Sequence, residues 1–269
     1  MGDREKTKRF EARRHSGPAE RAQPLELIGE EPFLIRIDDR PYSVVMRTPG
    51  EERAHAAGFC LGKGILNAPG DIDKIGYDEA ADPNVVDVWL RPERRLKILD
   101  RLERRFFVSQ TSCGICGKEV IEDLCQNLQR SPHVFELSLS HAFSCFSQLC
   151  ASQQHYQTTR GSHAALLFDE QLGELAFAED VGRHNALDKA IGRAFLDGTL
   201  PTARVAVLSS RISYELVQKA ARGLIPILIS GSRPTSLAVE MGQALEMTLA
   251  YPDGADDLVI ACGDARVRT

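Results

Sequence analysis

The amino-acid sequence predicts an α/β protein with a smaller N-terminal α+β subdomain and a larger C-terminal domain. Its 269 residues suffice for one large domain or two modest ones. In the second half, short apolar runs alternate with amphipathic helical patterns, as in parallel βαβ units. In the first half, two β-rich runs flank a turn cluster and precede helical patterns, which indicates a hairpin beside helices.

The N-terminal part is expected to begin with a flexible tail. Residues 1–24 are charged, contain proline and glycine, and show no hydrophobic period. Over residues 25–110 we expect the α+β subdomain, and the apolar stripe of its last helix consists of Leu96, Leu99 and Leu102. The expected elements are strands at 33–37 and 42–46, a helix from about residue 50 to 63, a strand at 85–90 and a helix at 92–105.

The C-terminal domain is expected over residues 131–269, with helices on both faces of a largely parallel sheet that has an antiparallel edge. The run VAVL at 205–208 is apolar without interruption, as expected for a strand that is covered on both faces. The expected strands lie at 164–168, 175–178, 205–208, 226–229, 247–250 and 258–261, and the expected helices at 184–196, 213–222 and 235–245.

The composition argues against nucleic-acid-binding, membrane and disulfide-rich proteins. The net charge of -5 gives no reason to expect nucleic acid as a partner. No apolar run approaches the roughly 20 residues that cross a bilayer, so no membrane association is expected, and the N-terminus lacks the apolar core of a signal peptide. Seven cysteines are too sparse for a disulfide scaffold in a chain of this length. We therefore expect a cytoplasmic protein with mostly free thiols, in which Cys60 and Cys125 are buried apolar side chains.

The segment at 111–117, with the sequence TSCGICG, is the most informative one. It holds Cys113 and Cys116, each followed by a glycine, and an amphipathic helical pattern begins directly after it. The two thiols thus precede a helix N-terminus, where the backbone dipole stabilises a thiolate. Residues 111–130 are therefore predicted to form a cysteine loop and a following helix that handle sulfur or electrons.

The same two cysteines also have the spacing of half a structural zinc site. No second C-x-x-C completes that site, and the remaining candidate ligands have a looser spacing; they are His133, His141, Cys145 and Cys150. A thioredoxin-like pair fits less well, because no strand of a βαβ unit opens the motif. We expect no permanently bound metal, and a zinc-stabilised nucleotide-binding module stays open as the alternative.

Three strand-to-helix junctions in the second half are unusually polar. They span 179–185, 209–213 and 230–236, and each offers backbone N–H groups and an arginine. Ligands of such sheets bind outside the carboxyl ends of the strands, so we expect a site for phosphate or pyrophosphate there. The candidate contacts are Asp180, Arg183, His184, Ser210, Arg211, Ser232 and Arg233.

Ordinary structural roles compete with that interpretation. Ser213 and Thr235 also fit plain helix N-caps, and Asp180 with Arg183 also fits a surface ion pair. His163, just before a predicted hairpin, fits a metal ligand, a general base or a hydrogen-bonded core histidine. No junction matches a Walker A loop or a Rossmann loop, which argues against an ordinary ATPase or dehydrogenase.

Several of these stretches resemble motifs of the formate dehydrogenase accessory sulfurtransferases, a family of sulfur carriers. The stretch at 111–117 resembles the family's cysteine loop, and 161–164 resembles its glycine–x–His–Ala stretch. Residues 179–189, 209–219 and 235–240 are similar to three further blocks of the family. The resemblance extends from about Leu25 to the C-terminus.

The resemblance implies a cytidine-deaminase-like three-layer core without the deaminase zinc chemistry. It also implies that the protein accepts sulfur from a cysteine desulfurase and passes it to the molybdenum of a transiently bound bis-molybdopterin guanine dinucleotide. That cofactor then enters a formate dehydrogenase apoenzyme. Cys113 matches the persulfide-carrying position, Cys116 is the second thiol, and His163 joins the cofactor-binding residues. The family's members are homodimers, and an apoenzyme chaperone without sulfur transfer is the remaining alternative.

One loop departs from the family pattern. In the family, an aromatic and basic loop near the C-terminus is linked to cofactor binding. The matching residues here form an acidic stretch, Pro252, Asp253, Gly254, Ala255, Asp256 and Asp257. Carboxylates repel a pyrophosphate, so Arg183, Arg211 and Arg233 are the better candidates for anion contacts.

Overall fold

The computed structural model describes residues 6–17, 19–76, 82–105, 128–254 and 257–268. These residues form a mixed α/β structure with one six-stranded sheet, one four-stranded sheet and two two-stranded pairs. None of the helices in these ranges combines the length and the apolar character needed to cross a membrane.

The elements are numbered in chain order. The strands are β1 Thr7–Ser16, β2 Ala19–Ile28, β3 Glu31–Ile37, β4 Arg40–Arg47, β5 Ile72–Gly76, β6 Val85–Leu90, β7 Leu137–Ser138, β8 His163–Phe168, β9 Glu174–Asp180, β10 Val205–Arg211, β11 Ile227–Ser232, β12 Thr248–Pro252, β13 Leu258–Cys262 and β14 Val267–Arg268. The helices are α1 Glu52–Gly62, α2 Pro92–Arg105, α3 Leu139–Ser152, α4 Gln154–Thr159, α5 Arg183–Leu196, α6 Tyr214–Arg222 and α7 Ser236–Ala244.

The large sheet has the strand order β13-β12-β11-β10-β8-β9. Strands β10, β11 and β12 run parallel, whereas β13 and β8 pair antiparallel with their neighbours in this group. The α6 and α7 crossovers connect the parallel strands, and the hairpin of β8 and β9 closes the other edge. The predicted parallel sheet with an antiparallel edge is confirmed.

Both faces of this sheet are covered, which gives the three predicted layers. Along β10, Val205 and Val207 belong to one buried cluster, and Ala206 and Leu208 belong to the other. This alternation follows from the two-residue period of a strand. The first cluster packs against α3, and the second packs against α5, α6 and α7. The prediction that the apolar run at 205–208 forms a strand covered on both faces is therefore confirmed.

The four-stranded sheet, in the order β4-β3-β6-β5, packs against α1. Helix α1 is buried over nearly its whole surface, because α5 lies against its other side. A Cβ atom on Gly58 would lie 1.9 Å from the carbonyl oxygen of Asp188, and one on Gly192 would lie 1.8 Å from that of Ala54. Only glycine permits this separation of the two helices. As a result, one continuous core joins both sheets.

The first residues correct the expectation of a flexible tail over 1–24. Strands β1 and β2 pair antiparallel over ten residue pairs, from Thr7 opposite Ile28 to Ser16 opposite Ala19. Most side chains on both faces of the hairpin are exposed. The sequence therefore lacks the alternation of apolar and polar residues that predicts a strand. The hairpin is held by its backbone ladder, by an Arg13–Glu20 ion pair at 2.9 Å and by the packing of α4 on β2.

Helix α2 has the predicted bounds but not the predicted inward face. Leu96 is 75% exposed and Leu99 is 40% exposed, whereas Arg94 and Ile98 are buried. Arg94 is buried because its guanidinium donates hydrogen bonds to the carbonyl oxygens of Ile65 at 2.6 Å and Gly64 at 2.8 Å. The inward face of α2 therefore holds a buried arginine with backbone partners in place of the expected leucine stripe. The side chain of Leu102 is not among those that the structure describes.

Candidate functional site

The predicted junctions meet at one edge of the large sheet. Strands β9, β10 and β11 end there, and the antiparallel β8 begins there. His163 pairs in register with Asp180, and Arg211 pairs with Ser232. Between these pairs, the Ser209 hydroxyl accepts a hydrogen bond from the Ala164 N–H at 2.8 Å. The strand order therefore brings together the three junctions that the sequence predicted separately.

Asp180 is fully buried at the end of β9 and organises the loop before α5. One carboxylate oxygen accepts hydrogen bonds from the Gly182 N–H and the Asn185 amide, each at 2.8 Å. The other oxygen accepts from the Thr48 N–H at 3.0 Å and pairs with the Lys189 ammonium at 2.7 Å. The carboxylate is thus saturated by protein donors. Asp180 pairs with Lys189, in contrast to the surface pair with Arg183 that the sequence also permitted.

Arg183 is the first residue of α5 and is partly buried at the site. Its Nε atom is inaccessible to solvent and has no hydrogen-bond partner in the described part of the chain. Burial lowers the pKa of the neighbouring His163, and the positive charge of Arg183 lowers it further. His163 is therefore neutral at pH 7, and a cation and an uncharged hydrogen-bonding ring lie side by side.

His184, next along α5, ties this helix to the start of α6. Its Nε2 lies 2.8 Å from a carboxylate oxygen of Glu215 and 3.5 Å from the Ser213 hydroxyl. The hydrogen bond from His184 lowers the pKa of Glu215. Both partners contact the same ring nitrogen, so the group does not form the relay of a catalytic triad, which uses both nitrogens.

The far side of the site is open to solvent. Arg211, Ser232 and Arg233 are exposed, whereas Ser210 is buried and its hydroxyl donates to the Arg211 carbonyl at 3.1 Å. The Arg233 guanidinium lies 6.0 Å from the ring centroid of Tyr251. Two exposed guanidiniums suit an anionic ligand, since their charge is accessible. Sequence reasoning missed Tyr251, which reaches the site because β12 ends beside β11.

The acidic loop follows β12 at the same edge. Pro252 ends the strand, Gly254 has a positive φ of 99°, and the Asp253 N–H donates to the Asp257 carbonyl at 2.8 Å. Ala255 and Asp256 lie outside the described residues. Asp253 and Asp257 are exposed. This side of the edge is therefore the less favourable one for an anion.

A second polar cluster lies behind His184. The Asp188 carboxylate pairs with the Lys219 ammonium through both oxygens, at 2.7 and 2.8 Å. Burial raises the pKa of Asp188, and the Lys219 charge opposes that shift. The pair lines a cavity of about 240 Å³ together with His184, Glu215 and Lys63. Sequence reasoning did not select Asp188, Glu215 or Lys219, although all three lie in the family-like blocks at 179–189 and 209–219.

Cys113 and Cys116 lie outside the described residues, as does Cys125. Among the other proposed zinc ligands, Cys145 is buried in the core and Cys150 is exposed. Both belong to α3, and five residues along a helix correspond to about 140° of rotation. These two thiols therefore point in different directions. In the described ranges, no three His, Cys, Asp or Glu side chains are grouped closely enough to hold a metal ion.

Comparison with known proteins gives consistent matches. Residues 28–255 match the model of the FdhD/NarQ family. A sulfur carrier protein FdhD from Streptomyces avermitilis is 39% identical over 239 residues, which cover 84% of this chain and 83% of the relative. A sulfur carrier protein FdhD from Mycolicibacterium paratuberculosis is 38% identical over 237 residues, which cover 85% and 86% of the two chains.

A solved structure is also similar. The protein, described as a formate dehydrogenase accessory protein from Desulfotalea psychrophila, aligns with a TM-score of 0.77 at 20% identity. The alignment covers 97% of this chain and 99% of the other. At this identity the likeness concerns the fold, and it agrees with the mixed α/β architecture.

Proposed function

Because the chain belongs to the FdhD/NarQ family, we propose that it is a sulfur carrier for formate dehydrogenase and acts as a sulfurtransferase. It takes sulfur from a cysteine desulfurase and transfers it to the molybdenum of bis-molybdopterin guanine dinucleotide, which it binds transiently as substrate. The observation that carries this proposal is the similarity, over most of both chains, to relatives named sulfur carrier proteins.

Sulfur uptake takes place at Cys113. Its thiolate attacks the outer sulfur of the donor's persulfide, a new S–S bond forms on Cys113, and the donor's own S–S bond breaks. The donor leaves as a thiolate, so uptake involves no net oxidation or reduction. For delivery, the Cys116 thiol attacks the inner sulfur, the Cys113–Cys116 disulfide forms, and the outer sulfur leaves as hydrosulfide for the molybdenum. The cysteine pair supplies the two electrons, and Cys116 supplies the proton.

The sheet edge binds the anionic part of the cofactor. Arg183, Arg211 and Arg233 offer guanidiniums to the pyrophosphate, and the α5 N-terminus adds a favourable dipole. His163 is neutral at pH 7 and contributes a hydrogen bond without further charge. Asp180 positions the loop through its buried hydrogen bonds. We propose that the acidic loop at 252–257 does not contact the pyrophosphate.

The proposal also covers the type of core, the oligomeric state and the cellular compartment of the protein. The core is cytidine-deaminase-like, as the covered mixed sheet supports, and the protein works as a homodimer beside the formate dehydrogenase apoenzyme. Phe10 and Leu25 form an exposed cross-strand pair on the first hairpin and offer apolar surface for association. The cysteines in the described ranges are free thiols, which supports a reducing compartment such as the cytoplasm.

The proposal is tested by replacing the sulfur-carrying thiol. We expect Cys113→Ala to abolish formate dehydrogenase activation in cells that make only this variant, because no other thiol takes over the transfer. Circular dichroism and thermal unfolding should match the parent protein. Cys150→Ala, which removes an exposed thiol on α3, is the matched control and should retain activation. Full activation by Cys113→Ala would refute the proposed transfer step.

A further inference from the structure

Thr48 lies just after β4 and bonds to the residues that lead into α5. Its N–H donates to the Asp180 carboxylate at 3.0 Å, and its hydroxyl accepts from the Val181 N–H at 3.0 Å. Its carbonyl accepts from the Lys189 ammonium at 2.8 Å. All three polar groups of Thr48 therefore have partners that lie 132 to 141 residues further along the chain.

The Asp180–Lys189 ion pair beside Thr48 is buried. The ammonium and the carboxylate are 2.7 Å apart, and both side chains are at most 1% exposed. Removal of two charges from water opposes their attraction, so apolar residues in place of a buried ion pair often preserve stability. The pair does fix directions, because the carboxylate and the ammonium each also bond to the backbone of Thr48. The pair therefore ties the start of α5 to the end of β4 in one geometry.

Two loop residues with fixed N–H groups precede Arg183. The Val181 N–H is held by the Thr48 hydroxyl, and the Gly182 N–H is held by the Asp180 carboxylate at 2.8 Å. Arg183 then begins α5. The direction in which its side chain leaves the loop therefore depends on the hydroxyl of Thr48, which is fully buried and belongs to the N-terminal half of the chain.

The end of β4 is itself held from two sides. The Met46 carbonyl accepts from the Asn185 amide of α5 at 2.7 Å. Arg47 is fully buried, and its guanidinium lies 3.0 Å from the Glu52 carboxylate of α1. Thr48 thus follows two residues whose positions are fixed by α5 and α1.

We propose that Thr48 is a positioning residue for the anion site and acts through Arg183. The site is the arginine-bearing edge, which is the sheet edge with Arg183, Arg211 and Arg233. This inference rests on the proposed function and adds that the N-terminal half of the chain prepares this edge for the pyrophosphate. Thr48 does not touch the ligand, because it is fully buried and its polar groups are bonded to protein. A guanidinium that is held in place in advance removes the need to order the loop on binding.

The test measures the affinity of full-length variants for GDP, which carries the guanine nucleotide and the pyrophosphate of the proposed cofactor. Thr48→Val removes the hydroxyl that holds the Val181 N–H but keeps the branched shape, and Thr48→Ser keeps the hydroxyl. The matched control is Thr248→Val, because Thr248 is also fully buried and its hydroxyl donates to the Gly263 carbonyl at 2.6 Å. Thr248 begins β12, at the end of that strand opposite the arginine-bearing edge. Thermal unfolding by circular dichroism compares the stability of the variants, and calorimetry gives the affinities.

We expect Thr48→Val to weaken GDP binding about fivefold, which is the loss expected for one hydrogen bond. Thr48→Ser and Thr248→Val should stay within about twofold of the parent affinity. In an Arg183→Ala background, Thr48→Val should weaken binding by less than about twofold, because the group that Thr48 positions is already absent.

Parental affinity in Thr48→Val, or a fivefold loss that persists in the Arg183→Ala background, would overturn the positioning role and leave the proposed function intact. Thr48→Ser as weak as Thr48→Val would overturn it as well, because the hydroxyl would then not be the group that matters. An equal loss in Thr248→Val would also overturn it, since the loss would then reflect general destabilisation. A parent protein that does not bind GDP would overturn both this inference and the anion site of the proposed function.

Discussion

The three arginines at the sheet edge are held in different ways. Arg183 is partly buried at the α5 N-terminus with an enclosed Nε, whereas Arg211 and Arg233 extend into solvent. Charge–charge interactions strengthen as water is excluded, and exposed ion pairs contribute about 0.2–1 kcal/mol. A hydrogen bond to a charged group at a buried position contributes about 1.5–3 kcal/mol. Arg183 should therefore dominate anion binding.

Affinity for GDP, measured by calorimetry, tests this ranking. We expect Arg183→Ala to weaken GDP binding by about tenfold or more, and Arg211→Ala by about threefold. Arg204→Ala, which removes an equal charge just before β10, at the end of that strand opposite Arg211, should leave the affinity within about twofold of the parent value. Unchanged affinity in Arg183→Ala would contradict the assignment of the anion site.

Residue types at the site were largely predictable, but their partners were not. Arg183, His184, Arg211 and Arg233 follow apolar strands, so their position at a strand end could be read from the sequence. The burial of Asp180 depends on Lys189, nine residues further along the chain, and on Thr48, which the fold brings from 132 residues away. Tyr251 approaches Arg233 only because β12 and β11 are neighbours. Such long-range proximity leaves no local pattern.

At the scale of elements, the contact between α1 and α5 sets the position of the site. Gly58 and Gly192 allow the two backbones to touch, and α5 carries both Arg183 and His184 at its start. In an exposed helix, Gly→Ala usually stabilises by about 1 kcal/mol. Here the added methyl group would overlap a backbone carbonyl of the facing helix, so Gly→Ala should destabilise the protein.

We predict that Gly58→Ala and Gly192→Ala each lower the free energy of unfolding by about 2–3 kcal/mol. Urea unfolding followed by circular dichroism measures the change. Gly70→Ala, at a position where the new methyl group meets no neighbour within 4 Å, is the matched control. The control should stay within about 1 kcal/mol of the parent. If Gly58→Ala had the same free energy of unfolding as the parent protein, α1 and α5 would have to be further apart than they are in the structure.

Elements buried on both faces were the predictable ones. The runs that became β10 and β11 are apolar throughout, and the α5 stripe of Leu187, Ile191 and Ala194 is inward as its spacing indicated. The β1–β2 hairpin was missed because its exposed faces carry no period. The α2 stripe was assigned to the wrong face because Arg94 obtains its partners from loop carbonyls, which spacing alone does not reveal.

At the scale of the whole molecule, one continuous core joins the six-stranded and the four-stranded sheet. The contact between α1 and α5 is part of this core, and the arginine-bearing edge lies at the start of α5 and α6. The position of this edge therefore depends on packing between both halves of the chain.

The central claim is that Cys113 carries the sulfur. Intact-mass spectrometry of the purified protein, after incubation with a cysteine desulfurase and cysteine, tests it most directly. We predict a gain of one sulfur atom that peptide mapping assigns to Cys113 and that a reductant removes. A protein that gains no sulfur, or gains it only at the exposed Cys150, would contradict the account.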